Sequence, residues 1–152
     1  MIEEKRMYFA AKAFIVQGNK FLAMHKKSSE EEYLELPGGR VEFGESLEDT
    51  LKREIFEETK LSFERIKLLD TWEFIGENYQ IVGVIYLCRV IEGKVILSEE
   101  HDYYKWLEIN DDSMDKLHRV YRDRLVNLGY GNIKESVKEA KIKNGDYYDY
   151  PF

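Results

Sequence analysis

The sequence predicts an α+β protein, an α/β/α sandwich in which one mixed β-sheet is flanked by helices. Stretches rich in β-branched and aromatic residues outnumber the helical ones, and the helical patterns fall between and after them. The strands do not alternate strictly with helices, as a doubly wound sheet would require. With 43% hydrophobic and 14% aromatic residues, the 152-residue chain has the composition of a folded globule. It is expected to form a single domain over residues 1–152, with 132–152 as a C-terminal helix and tail.

Residues 8–16, "YFAAKAFIV", form the first expected strand, "QGNK" a turn and "FLAMH" the second strand. "KKSSEEEY" is a polar loop. "LELPGGRVEFGE" is a short strand interrupted by Pro37, Gly38, Gly39 and Gly44. Ser46 is placed to cap a helix, with Asp49 in capping-box position, and that helix should run to about Thr59. Residues 64–75 and 79–90 read as a hairpin around "GEN", with "KVILS" and "YYKWLEI" as further strands. One long helix is expected over "DDSMDKLHRVYRDRLVNLGYG", starting near Asp111 or Asp112 and stopping at Gly129 or Gly131. Leu117, Val120, Tyr121 and Leu128 would face the core from it. A short third helix is expected over 132–143, followed by the tail "DYYDYPF".

The formal net charge is −7, which argues against coating a polyanion and against stable nucleic-acid binding. A phosphorylated substrate would need a bound cation or a local basic patch. Cys88 is the one cysteine, so no intramolecular disulfide can form and a reducing compartment is expected. Within "VIYLCRV" it reads as a core residue, not a nucleophile. The opening "MIEEKRMYFA" is unlike a secretory leader, and no apolar run reaches the ~18 residues of a membrane span. A soluble, cytoplasmic protein is expected.

The charge run "REIFEETK", residues 53–60, would ordinarily be the wet face of a helix. At about 100° per residue, with Leu47 at zero, Leu51 and Ile55 make an apolar stripe near ~40° and ~80°. Glu54 then falls near ~340°, Glu58 near ~20° and Glu57 near ~280°. Two of the three acids lie at or inside the buried face, where a carboxylate needs compensation. Arg53 alone cannot neutralise them, although it can pair with Glu57 at i,i+4. A divalent cation can, since oxygen ligands at this spacing suit Mg²⁺ or Mn²⁺.

From Gly39 the chain reads "GRVEFGESLEDTLKREIFEETKL", which resembles the Nudix box. Gly39, Glu45, Arg53, Glu54, Ile55, Glu57, Glu58 and Leu61 match its pattern; Lys60 stands where the pattern has glycine. That glycine ends the helix in a left-handed turn, so Lys60 either bears about 1 kcal/mol of backbone cost or the helix turns later. The resemblance implies the Nudix fold and MutT-like, Mg²⁺-dependent hydrolysis of a nucleoside diphosphate linked to another group, with Mn²⁺ as an alternative ion. It implies metal ligands at Glu57, Glu58 and the Gly39 carbonyl. Glu54 would serve a second ion or activate water as base, Arg53 would orient the glutamates, and Glu45 would support the cluster or its loop.

A later acid often assists in this family, and "SEEHDYYKWL" offers Glu99 and Glu100. His101 reads as a packing or loop residue, because hard cations prefer oxygen. Arg40, Lys26, Tyr79 and Glu100 are the candidate substrate contacts; His25, Lys26 and Lys27 compete with the plainer reading of an exposed basic turn. Trp72, Phe74 and Tyr79 include a candidate base-stacking aromatic, with core packing expected for at least two. The preferred substrate is a nucleoside triphosphate, unmodified or oxidised, with dinucleoside polyphosphate or ADP-ribose as alternatives. A non-catalytic nucleotide sensor and an isoprenoid diphosphate isomerase are the other classes. The retained acids argue against the first, and the core position of Cys88 against the second. A homodimer using "DYYDYPF" is compatible with the sequence.

Overall fold

A computed structural model describes residues 4–143. It contains β1 (Arg6–Gln17), β2 (Lys20–Lys26), β3 (Gly38–Arg40), α1 (Leu47–Thr59), β4 (Ser62–Ile75), β5 (Tyr79–Glu92) and β6 (His101–Glu108). Three helices follow, α2 (Asp111–Met114), α3 (Arg119–Leu128) and α4 (Tyr130–Lys143). The sheet order is β4-β5-β1-β2-β6, with β3 also paired to β1. β1 and β5 run parallel and the other ladders are antiparallel, so the sheet is mixed as expected. The tail "DYYDYPF" lies outside the described residues.

The alternation along β1 divides the core into two layers. Ala11, Ala13 and Ile15 pack with Leu51, Ile55 and Leu61 on the α1 side. Ala10, Phe14 and Val16 pack with Met114, Leu117, Tyr121, Leu125 and Ile133 on the other. Val120 and Leu128 lie against this second cluster, as the helical spacing predicted. Trp72 is buried and Phe74 packs on the core, whereas Tyr79 is exposed. Cys88 is buried, and its burial pushes the thiol pKa well up, as befits a packing residue. Among the described residues, no helix is long and apolar enough to cross a membrane, which says nothing of a β-barrel.

The start of α1 is written locally. Ser46 Oγ accepts from the Asp49 N–H at 3.1 Å, and the Asp49 carboxylate accepts from the Ser46 N–H at 3.1 Å. At the other end Lys60 takes the left-handed conformation (φ 64°, ψ 12°) and its N–H donates to Phe56 O at 3.0 Å. Lysine therefore ends the helix where glycine would, with Nζ 4.8 Å from the Phe56 ring centroid. Lys60→Gly is expected to raise stability by up to about 1 kcal/mol, read as an upward shift in the denaturant midpoint.

Two expectations are corrected. "KVILS" is not a strand: residues 94–98 run without ladder partners, and the N–H groups of Ile96 and Ser98 donate to Thr59 O (3.0 Å) and Glu58 O (3.3 Å). Val95 and Leu97 pack inward, so the alternation reflects real half-burial, but the backbone partner is the carbonyl end of α1. The long second helix is broken into α2 and α3. Leu34 N–H donates to Lys116 O at 2.8 Å and His118 N–H to Leu34 O at 3.0 Å, which pulls 115–118 out of helical geometry. His118 then caps α3, its ring Nδ1 accepting from the Val120 N–H at 3.2 Å.

Candidate active site

β3 brings the glycine turn to the acidic helix. Its register on β1 sets Ala10 opposite Arg40, Ala11 opposite Gly39 and Lys12 opposite Gly38. Gly39 thus faces the α1 side, where an added Cβ would lie 2.6–2.8 Å from the three carboxyl atoms of Glu54. Only a residue without a side chain lets β3 approach this acid so closely.

Arg53 organises the outer half of the cluster. Its Nε and Nη2 donate to the two Glu45 oxygens at 2.7 and 2.9 Å, and Nη1 donates to Glu54 Oε1 at 2.8 Å. Nη2 also donates to Arg40 O at 3.1 Å, tying β3 to the helix. The two-pronged contact holds the Glu45 carboxyl down to about 2, with the Glu42 N–H adding to the effect. Glu57, 59% exposed, lies 3.7 Å from Arg53 Nη1 and points to solvent.

Glu58 occupies the inner half. It is buried, and Oε1 accepts from the Gly38 N–H at 2.7 Å. Burial pushes its pKa up to about 7, against the opposing pull of the Lys12 charge and the Gly38 N–H. Lys12 itself donates to Leu36 O and Gly38 O at 3.1 and 3.2 Å. His101 is buried with Nε2 3.8 Å from Glu58 Oε2, and burial lowers its pKa, so the imidazole is neutral at pH 7. Glu58, Glu100 and His101 each offer a ligand atom within 4.8 Å of the others. Carboxylates gathered at this spacing around a buried acid fit a divalent cation, whose charge would favour the ionised form of Glu58.

The structure therefore brings Gly39, Glu45, Arg53 and Glu54 together and sets Glu58 and Glu100 beside them. Glu99 is exposed. Lys26, also exposed, pairs across the β2–β6 ladder with His101, and Lys27 acts through its backbone, its N–H donating to Glu100 O at 2.8 Å. His25 is engaged by Asp102 Oδ1 (2.7 Å) and Glu31 O (2.8 Å) and stacks on Tyr103. On the sheet face away from α1, Arg40 lies over the Tyr8 ring at 3.7 Å, with Tyr79 6.4 Å from Tyr8. These side chains, with Glu4, Arg6 and Asn78, line a cleft of about 410 Å³. Sequence reasoning missed Lys12 and Tyr8; a lone lysine among buried alanines in "AAKAF" was the available signal.

Glu58 gives the site an acid-side pH signature. Its folded pKa is raised above the usual 4.5, so its stability contribution is full below that value and is lost as pH rises through about 7. From Glu58 alone the metal-free protein is expected to lose on the order of 2–4 kcal/mol between pH 4.5 and 8. His101, lowered, opposes this below its ordinary 6.5. The check is therefore a comparison of melts in chelator for the unsubstituted protein and Glu58→Gln, which keeps an oxygen for the Gly38 N–H. The variant should lack this part of the slope.

A mixed sheet with an acid-bearing helix docked against a glycine strand is the frame of a Nudix hydrolase domain. The NUDIX domain family model matches residues 8–126, and the chain belongs to that family. It is 37% identical over 73 residues to the NAD-capped RNA hydrolase NudC of Actinobacillus succinogenes; the match covers 48% of this chain and 24% of that protein, so the chain spans about a quarter of that relative. Among solved structures it is similar to the MutT protein of Methanosarcina mazei Go1, with TM-score 0.73, 21% identity, and 87% and 99% of the two chains covered. It is also similar to a MutT NUDIX hydrolase from Burkholderia pseudomallei, with TM-score 0.67, 26% identity, and 78% and 95% covered.

Proposed function

We propose that this Nudix pyrophosphohydrolase cleaves a nucleoside diphosphate linked to another moiety, with a (deoxy)nucleoside triphosphate, unmodified or oxidised, as its principal substrate. The products are then a monophosphate and pyrophosphate, and the cofactor is Mg²⁺ or Mn²⁺. The convergence of Glu54 and Glu58 on the Gly38–Gly39 strand, with Glu100 alongside Glu58, carries the reading. Such a set has no structural need to be assembled, since each added carboxylate raises the cost of the others.

Glu57, Glu58 and the Gly39 carbonyl would hold the ion. When bound, a divalent cation screens the phosphate charges and makes water more acidic. Glu54 has Oε1 engaged by Arg53, which leaves Oε2 to accept the proton of the attacking water. Arg53 positions Glu54, and Glu45 fixes Arg53 in turn. Arg40, over Tyr8 and near Tyr79, offers a cationic and aromatic surface for the nucleotide. A reducing, cytoplasmic setting suits the buried Cys88 thiol.

A dinucleotide or ADP-ribose-type diphosphate is the second reading, favoured by the similarity to NudC. A product-resolved hydrolysis panel separates the two. Ordinary and 8-oxo nucleoside triphosphates, ADP-ribose, NAD and diadenosine polyphosphates are each assayed with Mg²⁺, Mn²⁺ or chelator. Metal-dependent release of pyrophosphate from triphosphates is expected. Turnover of the linked dinucleotides alone would favour the second reading, and no turnover of any, with nucleotide still raising Tm, would make the domain a sensor.

A further inference from the structure

The turn between β1 and β2, the end of β6 and one face of α4 enclose a cavity of about 970 Å³. β6 starts with His101 beside Glu58 and ends with Glu108 at this cavity, so the two sites lie a strand's length apart, roughly 23 Å at ~3.3 Å per residue. The floor is the margin of the core: Val16 and Ile109 are buried, and Val137 packs on the same cluster. The rim carries three exposed lysines, Lys20, Lys134 and Lys138, against one acid, Glu108. On a chain of net charge −7 such a local surplus of cations runs against the composition. None of the three ammonium groups makes an ion pair among the described residues.

The chain itself carries a segment of matching chemistry. α4 ends at Lys143 and the sequence continues "NGDYYDYPF". Asn-Gly is the sequence signal of a helix stop and a chain reversal. The residues after it bring two acids, Asp146 and Asp149, and four aromatics, Tyr147, Tyr148, Tyr150 and Phe152. Residues 146–152 can span about 23 Å when extended. Lys134 lies only about 14 Å back along the helix from Lys143. A segment tethered this closely reaches an effective concentration in the millimolar range, well above that of a free partner.

We propose that the groove between α4 and the β1–β2 turn is the docking site of the chain's own segment 146–152. Asp146 and Asp149 meet the lysine rim, and the aromatic rings cover Val16, Ile109 and Val137. Exposed ion pairs are individually weak, so burial of the rings supplies the hold and the charges set the direction of the segment. The tail then fastens α4 to the end of the sheet, away from the acids of the candidate active site.

The test is nuclear magnetic resonance on the full, unsubstituted chain. Nuclear Overhauser contacts are expected between the rings of Tyr147, Tyr148 or Tyr150 and the methyl groups of Val16, Ile109 or Val137. In an equal mixture of labelled and unlabelled chains, the same contacts filtered for pairs between chains should vanish. Reversing the rim with Lys134→Glu and Lys138→Glu should weaken the contacts at least about threefold, the scale of one or two exposed charge pairs. Adding Asp146→Lys and Asp149→Lys to that variant should restore them. Contacts that persist between chains would overturn the inference in favour of a second copy. No contacts at all, or contacts indifferent to charge reversal, would overturn it outright. Either failure leaves the hydrolase reading standing, because that reading rests on the acids at the other end of β6.

Discussion

Glu54→Gln is expected to lower kcat by roughly 10²–10⁴-fold with little change in KM, the range typical of a lost general base. Glutamine keeps an oxygen for Arg53 Nη1, now 2.8 Å from Glu54 Oε1, so the local geometry should survive. What disappears is the carboxylate oxygen beside Gly39 that the proposed mechanism uses to accept the proton. Glu57→Gln gives the contrast: its side chain is 59% exposed and free to reach an ion, so on the proposed metal set its loss should raise the metal concentration needed for half-maximal rate. Steady-state kinetics across a Mn²⁺ and Mg²⁺ titration would separate the two effects. A Glu54→Gln protein with unchanged kcat would move the base to another acid, such as Glu100 beside Glu58.

Gly39→Ala should also lose activity, on the order of 10²-fold, while remaining folded. The new methyl would sit 2.6–2.8 Å from the Glu54 carboxyl atoms. That carboxyl ends a flexible side chain and can move, so the stability cost is modest, but moving it breaks its alignment by Arg53. Gly38 is a different case and serves as the control. There a Cβ would meet the Ala11 carbonyl oxygen at 2.2 Å, and the φ of +128° disfavours any side chain. Alanine at 38 should therefore lower Tm sharply, whereas alanine at 39 should lower kcat with a Tm shift of a few degrees. Comparable Tm losses in both variants would show that Gly39 serves the fold alone.

The parts legible in the sequence were those settled by neighbours along the chain. α1 was readable from Ser46 to Thr59 because a capping box and a 3.6-residue stripe are local devices, and the same angles placed Glu54 and Glu58 inward. The splitting of the second helix was not readable, since its cause is a bridge from Leu34, far back in the chain. "KVILS" shows the same limit from another side: alternation reports which side chains are covered but not what the backbone bonds to. Lys60 left two exits open for α1, and only the positive φ selects between them. Lys12 escaped notice because a cation in a core strand has meaning only once Glu58 is known to lie nearby. His101, read as a packing or loop residue, is buried at the first position of β6.

The segment over 94–98 has a consequence for how this domain can change. Its N–H groups of Ile96 and Ser98 are fastened to the carbonyls of Thr59 and Glu58, and three residues past its second anchor comes His101. It works as a ruler that measures Glu100 against the helix. One residue inserted between Ser98 and His101 would shift Glu100 out of register without disturbing the sheet or the helix. An inserted residue in the β4–β5 turn should be absorbed at the surface. Insertions and deletions in descendants of this chain should accordingly avoid 96–101 and accumulate in the turn at 76–78.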